Sequence, residues 1–410
     1  MESFFEKAMK RDLSEGCCNC PPWPSLGTEG DAFSDRFFDG QPGGNGEPGW
    51  TKMPGFPVFT EEAGVHPYEN LLSYIVRELS MKTKYSDIDE ESLKSPWRER
   101  AKLSYGTVEE FGAKGNISEN KVEEILRGGI DIHVHGYPEA LVDTGWDFAW
   151  MAKKAYDSGM RAIVCKSMHS DTAPMAYFVQ QIVDEYISKQ AEAPRPFNVY
   201  GGVVLNWSVG GLNPIAAETS AKLGAKILWL PSHDAAHHMR VLEEGQGIEV
   251  LDKNDKVLPE LIEIFKIIAR YDMILDLNHT STKERFIVTE EAQKHGVKKI
   301  LLTHPQWNVN RMTPDQMAQI AEMGAYIGLF LYSAFPHFNN PVCDRTEVLQ
   351  VIEKVGPEKC VMATDFGSML NPPPVEGMKL FIRLLLAMGV SETSIGIMLK
   401  RNGARLLGID

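Results

Sequence analysis

The chain has 410 residues, of which 43% are apolar and 24% charged, values typical of a globular protein with a large core. Its 42 basic and 56 acidic residues give a net charge of −14, and no cluster of lysines and arginines offsets it, which argues against a phosphate-backbone ligand. No run reaches the ~18 apolar residues of a membrane span, and the first residues lack the apolar core of a secretory signal. These features predict a cytoplasmic protein that binds neither nucleic acid nor membrane.

The cysteines are too few and too scattered for a disulfide framework in a chain of this length. They are Cys17, Cys18, Cys20, Cys165, Cys343 and Cys360. The first three, in the segment CCNC, could bind a metal, but no second ligand pair stands at the spacing that a zinc finger requires. Reduced thiols are the favoured interpretation.

The first 125 residues differ in composition from the rest and are predicted to form an N-terminal extension. Residues 21–57 are dense in glycine and proline, with interspersed tryptophan and phenylalanine, and such composition does not form regular elements. The aromatic rings argue against a free linker, because packing over the chain's own core or over a second subunit would bury them. Helices are predicted within 65–82 and from Ser118. The extension is therefore expected to be irregular and helical, and the protein to be a homo-oligomer.

From residue 126 onward, helical stretches that end in glycine alternate with short apolar runs. A glycine just past a helix supplies the left-handed cap, and the following run is typical of a buried strand. Eight strands are predicted in this way, at 130–135, 161–166, 198–205, 226–231, 273–278, 299–303, 325–331 and 360–364. Strands that alternate with single helices form parallel βα units. Residues 126–410 are thus predicted to be an α/β domain, a (β/α)8 TIM barrel; a doubly wound sheet is disfavoured because no glycine-rich phosphate fingerprint follows the first strand.

The connection between the fourth and fifth predicted strands is long. In it, the runs IEVLD and KVL flank an Asn-Asp turn, which predicts a hairpin. The connection leaves from the carboxyl end of a strand, the face where barrel enzymes build their sites, so a lid or specificity loop is expected. Its histidines, His233, His237 and His238, are interpreted as structural or surface groups, with His233 the strongest further candidate for a ligand.

Five residues of the metal-ligand type stand at predicted strand ends. His133 and His135 close the first strand, and being two residues apart they point to the same face. His279 follows the fifth strand, His304 the sixth and Asp365 the eighth. Alone, a His-x-His pair is a weak signal, but imidazoles and a carboxylate gathered onto one rim are what a catalytic metal needs.

This pattern resembles the amidohydrolase superfamily, in which a His-x-His follows strand one, single histidines follow strands five and six, and an aspartate follows strand eight. The tail KRNGARLLGID is similar to the closing helix of the branch that contains aminocarboxymuconate-semialdehyde decarboxylase. The resemblance implies a metal-dependent hydrolase. Two-metal members carry a lysine or glutamate on strand four, and KILWLPSHD offers none at that place. A single ion is therefore expected, Zn²⁺ with Mn²⁺ or Fe²⁺ as alternatives, held by His133, His135, His279 and Asp365.

Two further residues stand at the predicted mouth. Lys166 closes the second strand, where a buried lysine would be costly unless it is paired, so it is a candidate for binding a substrate anion or a polarised oxygen. The alternative for Lys166 is a packed stem with an ammonium in solvent, and a carboxylated lysine between two metals is a third possibility. Trp307, just after His304, is a candidate for the wall of the substrate pocket.

The predicted reaction is hydrolysis of an amide, cyclic amide or imide, lactone or ester of a small molecule. Water activated by zinc would attack a carbonyl polarised by the metal or by His304, while Asp365 acts as general base and then as acid. The alternative is non-oxidative decarboxylation of a small carboxylic acid with the same residues. A barrel that only binds its ligand is the third hypothesis, and it is disfavoured because no ligand residue is missing.

Overall fold

Parallel strands and their following helices make up the part of the chain that the computed structural model describes, which is residues 117–140, 144–191, 193–242, 245–334, 346–368 and 371–410. The strands are β1 Ile130–His135, β2 Ala162–Lys166, β3 Asn198–Tyr200, β4 Gly202–Val204, β5 Ile227–Trp229, β6 Ile274–Asp276, β7 Lys299–Leu302, β8 Tyr326–Phe330 and β9 Cys360–Ala363. They pair in two parallel sheets, β1-β2-β3 and β4-β5-β6-β7-β8-β9.

Helices follow the strands as the sequence predicts. They are α1 Glu119–Leu126, α2 Phe148–Asp157, α3 Ala173–Ser188, α4 Pro214–Lys222, α5 Ala236–Leu242, α6 Pro259–Arg270, α7 Thr282–Lys294, α8 Pro314–Glu322, α9 Leu331–Ala334, α10 Thr346–Val355, α11 Pro374–Ala387, α12 Glu392–Gly396 and α13 Asn402–Leu407, with a π-helical turn at Ile397–Arg401. The predicted start at Ser118 is confirmed, since its side chain accepts a hydrogen bond from the Lys121 amide.

The third predicted strand is continuous in the chain but divided into β3 and β4. Only Gly201 separates the two halves, and a Cβ at this position would stand 2.3 Å from the Thr172 carbonyl oxygen. The Gly202 amide donates to the Thr172 hydroxyl (2.9 Å) instead of to a strand. The close approach of Thr172 therefore accounts for the break, and β3 and β4 act as one strand that joins the two sheets.

The sheets also join at the other edge, between β1 and the end of β9. The Asp365 amide donates to the His133 carbonyl (3.0 Å), and the His135 amide donates to the Phe366 carbonyl (2.8 Å). Because the two sheets are joined at both edges, the eight strand positions form a closed ring. The predicted α/β barrel is confirmed by the pairing of its own strands.

Apolar side chains fill the barrel interior and, separately, the layer between strands and helices. The interior cluster includes Ile132, Val164 and Trp229 from the strands and Leu406 from α13, so the predicted C-terminal helix packs into the barrel. A register shift in β1 between Asp131 and Val134 changes the alternation of its side chains. As a result both Ile132 and His133 face the interior.

The long connection after β5 forms α5 and then a small hairpin turn. Leu251 and Val257 make an antiparallel bridge, and the Asp252 amide donates to the Lys256 carbonyl (2.7 Å). The predicted hairpin is confirmed as a turn with one bridge rather than as two strands. Its role as a lid stays a prediction.

Several predictions lie outside the described residues. They concern the extension up to residue 116, its 65–82 helix and the CCNC segment. Cys165 and Cys360 are buried free thiols, as expected. Among the described residues, no helix combines the length and the apolar character that crossing a membrane requires.

Candidate metal centre

Three residues at or after strand ends have a left-handed backbone, although none is glycine. The φ angles are +39° at Asn278, +28° at His304 and +58° at Asp365. Such conformations are strained, and they are retained where the surroundings impose them, often at functional sites. Here they turn the chain sharply after β6, β7 and β9, at the carboxyl end of the barrel.

The structure brings His133, His135 and Asp365 together. Oδ1 of Asp365 lies 3.1 Å from Nε2 of His133 and 3.1 Å from Nε2 of His135. One ligand atom from each residue falls within 4.8 Å of the others, the one such group found in the described part of the chain. We call these residues the triad.

His133 is fully buried, yet neither of its ring nitrogens has a hydrogen-bond partner of acceptable geometry among the described residues. Its ring packs edge-on against Phe330, with centroids 5.0 Å apart, and against Trp229 at 5.9 Å. Buried polar atoms are normally satisfied. A cation at the triad would supply the missing partner, so the donor set fits a metal.

The protonation states also suit a cation. Burial and the charge of Lys166 hold the pKa of His133 well below its ordinary value, so its imidazole is neutral at pH 7. Burial alone would raise the pKa of Asp365, but the neighbouring His133 and His135 keep it well below the usual range. Neutral imidazoles and an ionised carboxylate are the forms that coordinate metals.

A buried carboxylate braces the triad from behind. Asp131 accepts hydrogen bonds from the Thr364 hydroxyl (2.6 Å) and the Thr364 amide (3.2 Å), and from the His133 amide (3.3 Å). These bonds tie the start of the His-x-His segment to the residue before Asp365. Burial raises the pKa of Asp131 to about 7, despite the hydrogen bonds that it accepts.

A second brace of the same design holds the ends of β6 and β7. Asp276 accepts hydrogen bonds from the Thr303 hydroxyl (2.6 Å) and the Asn278 amide (2.7 Å). The fully buried Arg285 donates to the carbonyls of Asn278 (2.6 Å), Thr303 (3.2 Å) and Asn310 (2.8 Å). The guanidinium thereby fixes the backbone on both sides of His304.

His279 lies among aromatic rings rather than in the triad. Its ring stacks on His238 (centroids 4.8 Å apart), and the Nδ1 atoms of the two rings are 2.9 Å apart. The ring centroids of His304 and Trp307 each lie 5.0 Å from the centroid of the His279 ring, and that of His233 lies 5.2 Å from it. We call His233, His238, His279 and His304 the histidine cluster. Whether His279 ligates a metal stays a prediction.

Asn310 and Asp365 lie near the two ring nitrogens of His304. The Asn310 amide nitrogen donates to the Asn278 carbonyl (2.9 Å), which fixes the orientation of this side-chain amide. The same nitrogen lies 3.3 Å from Nδ1 of His304 and donates to it. A neutral ring whose Nδ1 accepts carries its proton on Nε2, which lies 3.9 Å from Oδ2 of Asp365. Burial lowers the pKa of His304 to about 3, so the ring is neutral at pH 7.

Lys166 lies at the predicted place, paired in register with His135 across β1 and β2. It is fully buried, and its ammonium reaches Asn278 Oδ1 at 3.5 Å and the face of Trp229 at 5.7 Å from the ring centroid. Burial lowers the pKa of Lys166. The solvent-exposed alternative is excluded by this position.

Glu139 and His169 form an ion pair beside the triad. Oε1 of Glu139 lies 2.6 Å from Nδ1 of His169, and its Oε2 accepts from the Met168 amide (2.8 Å). This pair links the segment after β1 to the segment after β2. Burial opposes ionisation of Glu139, but the hydrogen bonds from His169 and Met168 lower its pKa to about 2.

Comparison with known proteins gives a family match and weak structural likenesses. The family described as "Family of unknown function (DUF6282)" matches residues 128–328, just under half of the chain. No curated protein sequence matches. An amidohydrolase from Pseudomonas aeruginosa is similar over 71% of this chain and 98% of its own, with 14% identity and a TM-score of 0.48. A 2,6-dihydroxybenzoate decarboxylase from Rhizobium is similar over 69% and 99%, with 11% identity and a TM-score of 0.40.

A putative 2-pyrone-4,6-dicarboxylic acid hydrolase from Pseudomonas putida is similar over 69% of this chain and 98% of its own, with 12% identity and a TM-score of 0.42. Likenesses of this strength assign no activity. The function is therefore argued from the geometry of the site in this chain.

Proposed function

We propose that the protein is a metal-dependent hydrolase of the amidohydrolase type, with one zinc ion at the triad. The observation that carries this proposal is the convergence of two imidazoles and a carboxylate, with Nδ1 of the fully buried His133 lacking a hydrogen-bond partner among the described residues. A bound zinc would supply an activated water and polarise a carbonyl oxygen. The substrate would be a small molecule with an amide, cyclic amide or imide, lactone or ester bond.

Each residue of the site would have a separate role in the reaction. His133, His135 and Asp365 would hold the ion, and the carboxylate of Asp365 would also accept a proton from water. His304 would donate its Nε2–H to the substrate carbonyl oxygen, a role that suits a neutral ring fixed by Asn310. The proton held by Asp365 would then pass to the leaving group.

The test combines metal content with activity on a panel of chromogenic esters and lactones. We expect purified protein to hold one zinc per chain, and chelation to abolish hydrolysis that added zinc restores. Asp365→Asn should abolish turnover, since the amide cannot accept the proton. His304→Gln should keep the metal and lower kcat by about 100-fold or more.

Two outcomes would replace this proposal. Release of CO₂ from a carboxylic acid without incorporation of oxygen from labelled water would assign the alternative, a non-oxidative decarboxylase. Protein that holds no zinc and still binds its ligand would favour the non-catalytic barrel.

A further inference from the structure

Two buried hydrogen-bond donors lie beside the triad without an anionic acceptor close to them among the described residues. Lys166 is fully buried, and in the described part of the chain no carboxylate oxygen lies within 4.0 Å of its ammonium. Trp229 is fully buried too, and its indole nitrogen has no hydrogen-bond partner among the described residues. The ammonium lies 5.7 Å from the centre of the Trp229 ring, so both donors border the same part of the barrel mouth.

Among the described residues, Asn278 is the one that accepts a hydrogen bond from the ammonium, and its side-chain amide is neutral. The Asn278 side-chain nitrogen donates to the Leu230 carbonyl (2.7 Å), which leaves Asn278 Oδ1 facing Lys166 at 3.5 Å. A neutral amide at this distance makes a weak hydrogen bond. A buried charge without a close counter-ion is costly, so Lys166 destabilises the fold unless a ligand pairs with it.

The charges of the site leave room for an anion. A divalent ion at the triad would be held by one carboxylate, that of Asp365, and Lys166 adds another positive charge on the adjacent strand. The carboxylates of Asp276 and Glu139 also act on Lys166, but neither lies within 4.0 Å of its ammonium. The ligand that satisfies an ammonium and an indole N–H together is an anionic oxygen.

We propose that Lys166 and Trp229 bind a carboxylate of the substrate beside the triad, so that the substrate is a carboxylic acid whose scissile group lies next to this carboxylate. This inference rests on the proposed function and names its substrate class. Lys166 is the specificity-determining residue, and Trp229 supplies the second donor. Neutral esters and amides of the same shape are poor substrates.

The experiment measures binding of malonate, with neutral malonamide as the matched probe, to the zinc-loaded protein by calorimetry. We expect Lys166→Met to weaken malonate binding by about tenfold or more, the usual loss for a charge-assisted hydrogen bond. Lys166→Arg should retain most of the affinity for malonate. Trp229→Phe should weaken malonate binding by a few-fold, about the contribution of one neutral hydrogen bond. Malonamide binding should not change in any variant.

The matched control is Lys299→Met, which removes one positive charge at the opposite end of the barrel, where Lys299 pairs with Asp272 at 2.6 Å. It should bind malonate like the wild type. We also expect Lys166→Met to unfold at an equal or higher temperature than the wild type, because it removes an unpaired buried charge. A lysine with a purely structural role would instead lower the unfolding temperature.

Equal malonate affinity in wild type and Lys166→Met, or no malonate binding at all, overturns the inference. Zinc content, measured for each variant, keeps this result separate from the proposed function. Zinc at the triad without dependence on Lys166 leaves the hydrolase standing and removes the carboxylate site. Dependence on Lys166 in protein that takes up no zinc supports the carboxylate site while removing the metal centre.

Discussion

The two sides of the barrel mouth use the same scaffold for different chemistry. At the seam of β1 and β9, Asp131 is bonded to the Thr364 hydroxyl, and at β6 and β7, Asp276 is bonded to the Thr303 hydroxyl, each at 2.6 Å. Histidines follow the braced strand ends on both sides. The first side adds the carboxylate of Asp365 and brings together three residues that could hold a metal ion, whereas on the second side the imidazole rings pack against one another.

The difference lies in the counter-charge. Asp365 lies 3.1 Å from both His133 and His135. Among the described residues, no carboxylate oxygen lies within 4.0 Å of the rings of His238 and His279. A cation is stabilised where neutral imidazoles meet an ionised carboxylate. The triad is therefore the proposed site of the ion, and the histidine cluster packs as a group of aromatic rings beside it.

The largest expected effect comes from removing a triad ligand. His133→Ala should weaken zinc binding by more than about 100-fold, more than the usual effect of losing a residue behind the ligands. His238→Ala, the control from the histidine cluster, should change the affinity by less than about twofold, within ordinary context effects. Competition with a chromophoric chelator measures both.

His279→Ala sharpens the comparison, because His279 is the predicted fourth ligand. We expect a loss below about tenfold, since its ring packs against His238 and His304 rather than in the triad. A loss equal to that of His133→Ala would add His279 to the ligand set and would contradict the division of the mouth into two sides.

The next largest effect is expected on stability, when the guanidinium of Arg285 that supports the backbone around His304 is removed. Arg285→Met removes the donor of three backbone carbonyls and should lower the free energy of unfolding by about 3 kcal/mol. Zinc affinity at the triad should not change. Arg240→Met, which removes an exposed arginine of α5 paired with Glu249, is the control and should have little effect in denaturant unfolding.

The two braces can be separated by one matched pair of substitutions. Thr364→Val and Thr303→Val each leave a buried carboxylate without its hydroxyl donor, so both should lose about 1–2 kcal/mol of stability. Thr364→Val alone should also weaken zinc binding, by about tenfold, because it supports Asp365. Equal zinc affinities in the two variants would contradict a specific role for the brace at the triad.

The smallest expected effect is the pH dependence of the contribution that the Glu139–His169 pair makes to folding stability. The pKa of Glu139 is lowered to about 2, so its contribution is complete above the ordinary value of 4.5 and is lost as the pH falls. The hydrogen bond that His169 donates to Glu139 raises the pKa of His169, so that contribution to stability is complete below pH 6.5 and is lost at higher pH. His169→Gln should thus cost most stability between about pH 4.5 and 6.5.

Thermal unfolding of wild type and His169→Gln across this range checks the prediction. If the difference in unfolding temperature between wild type and His169→Gln stays constant from about pH 5 to pH 9, the prediction is wrong, because the contribution of the ion pair to stability then does not depend on pH. His295→Gln, which removes a partly exposed pair with Glu291 at the end of helix α7, is the control and should change the unfolding temperature less than His169→Gln does.

The barrel and the triad could be predicted from the sequence because their signals are local. Glycine after each helix, the following apolar run and the spacing of His133 and His135 all lie within a few residues of one another. Convergence of Asp365 then follows from the topology, since the carboxyl ends of parallel strands meet at one face.

The supporting residues were missed because they act across distant segments. Arg285 lies on α7 and donates to carbonyls after β6 and β7. Asn310 lies on the segment after β7 and donates to the Asn278 carbonyl. No local pattern marks either residue. A signal did exist for Asp131, which stands two residues before His133 in an otherwise apolar strand, where a buried carboxylate requires partners.

Anomalous X-ray diffraction from crystals of zinc-loaded protein, collected at the zinc absorption edge, tests the metal centre most directly. We predict one anomalous peak per chain within coordination distance of Nε2 of His133, Nε2 of His135 and a carboxylate oxygen of Asp365. A peak centred among His233, His238 and His279, or no peak at the barrel mouth, would contradict the assignment of the cation to the triad.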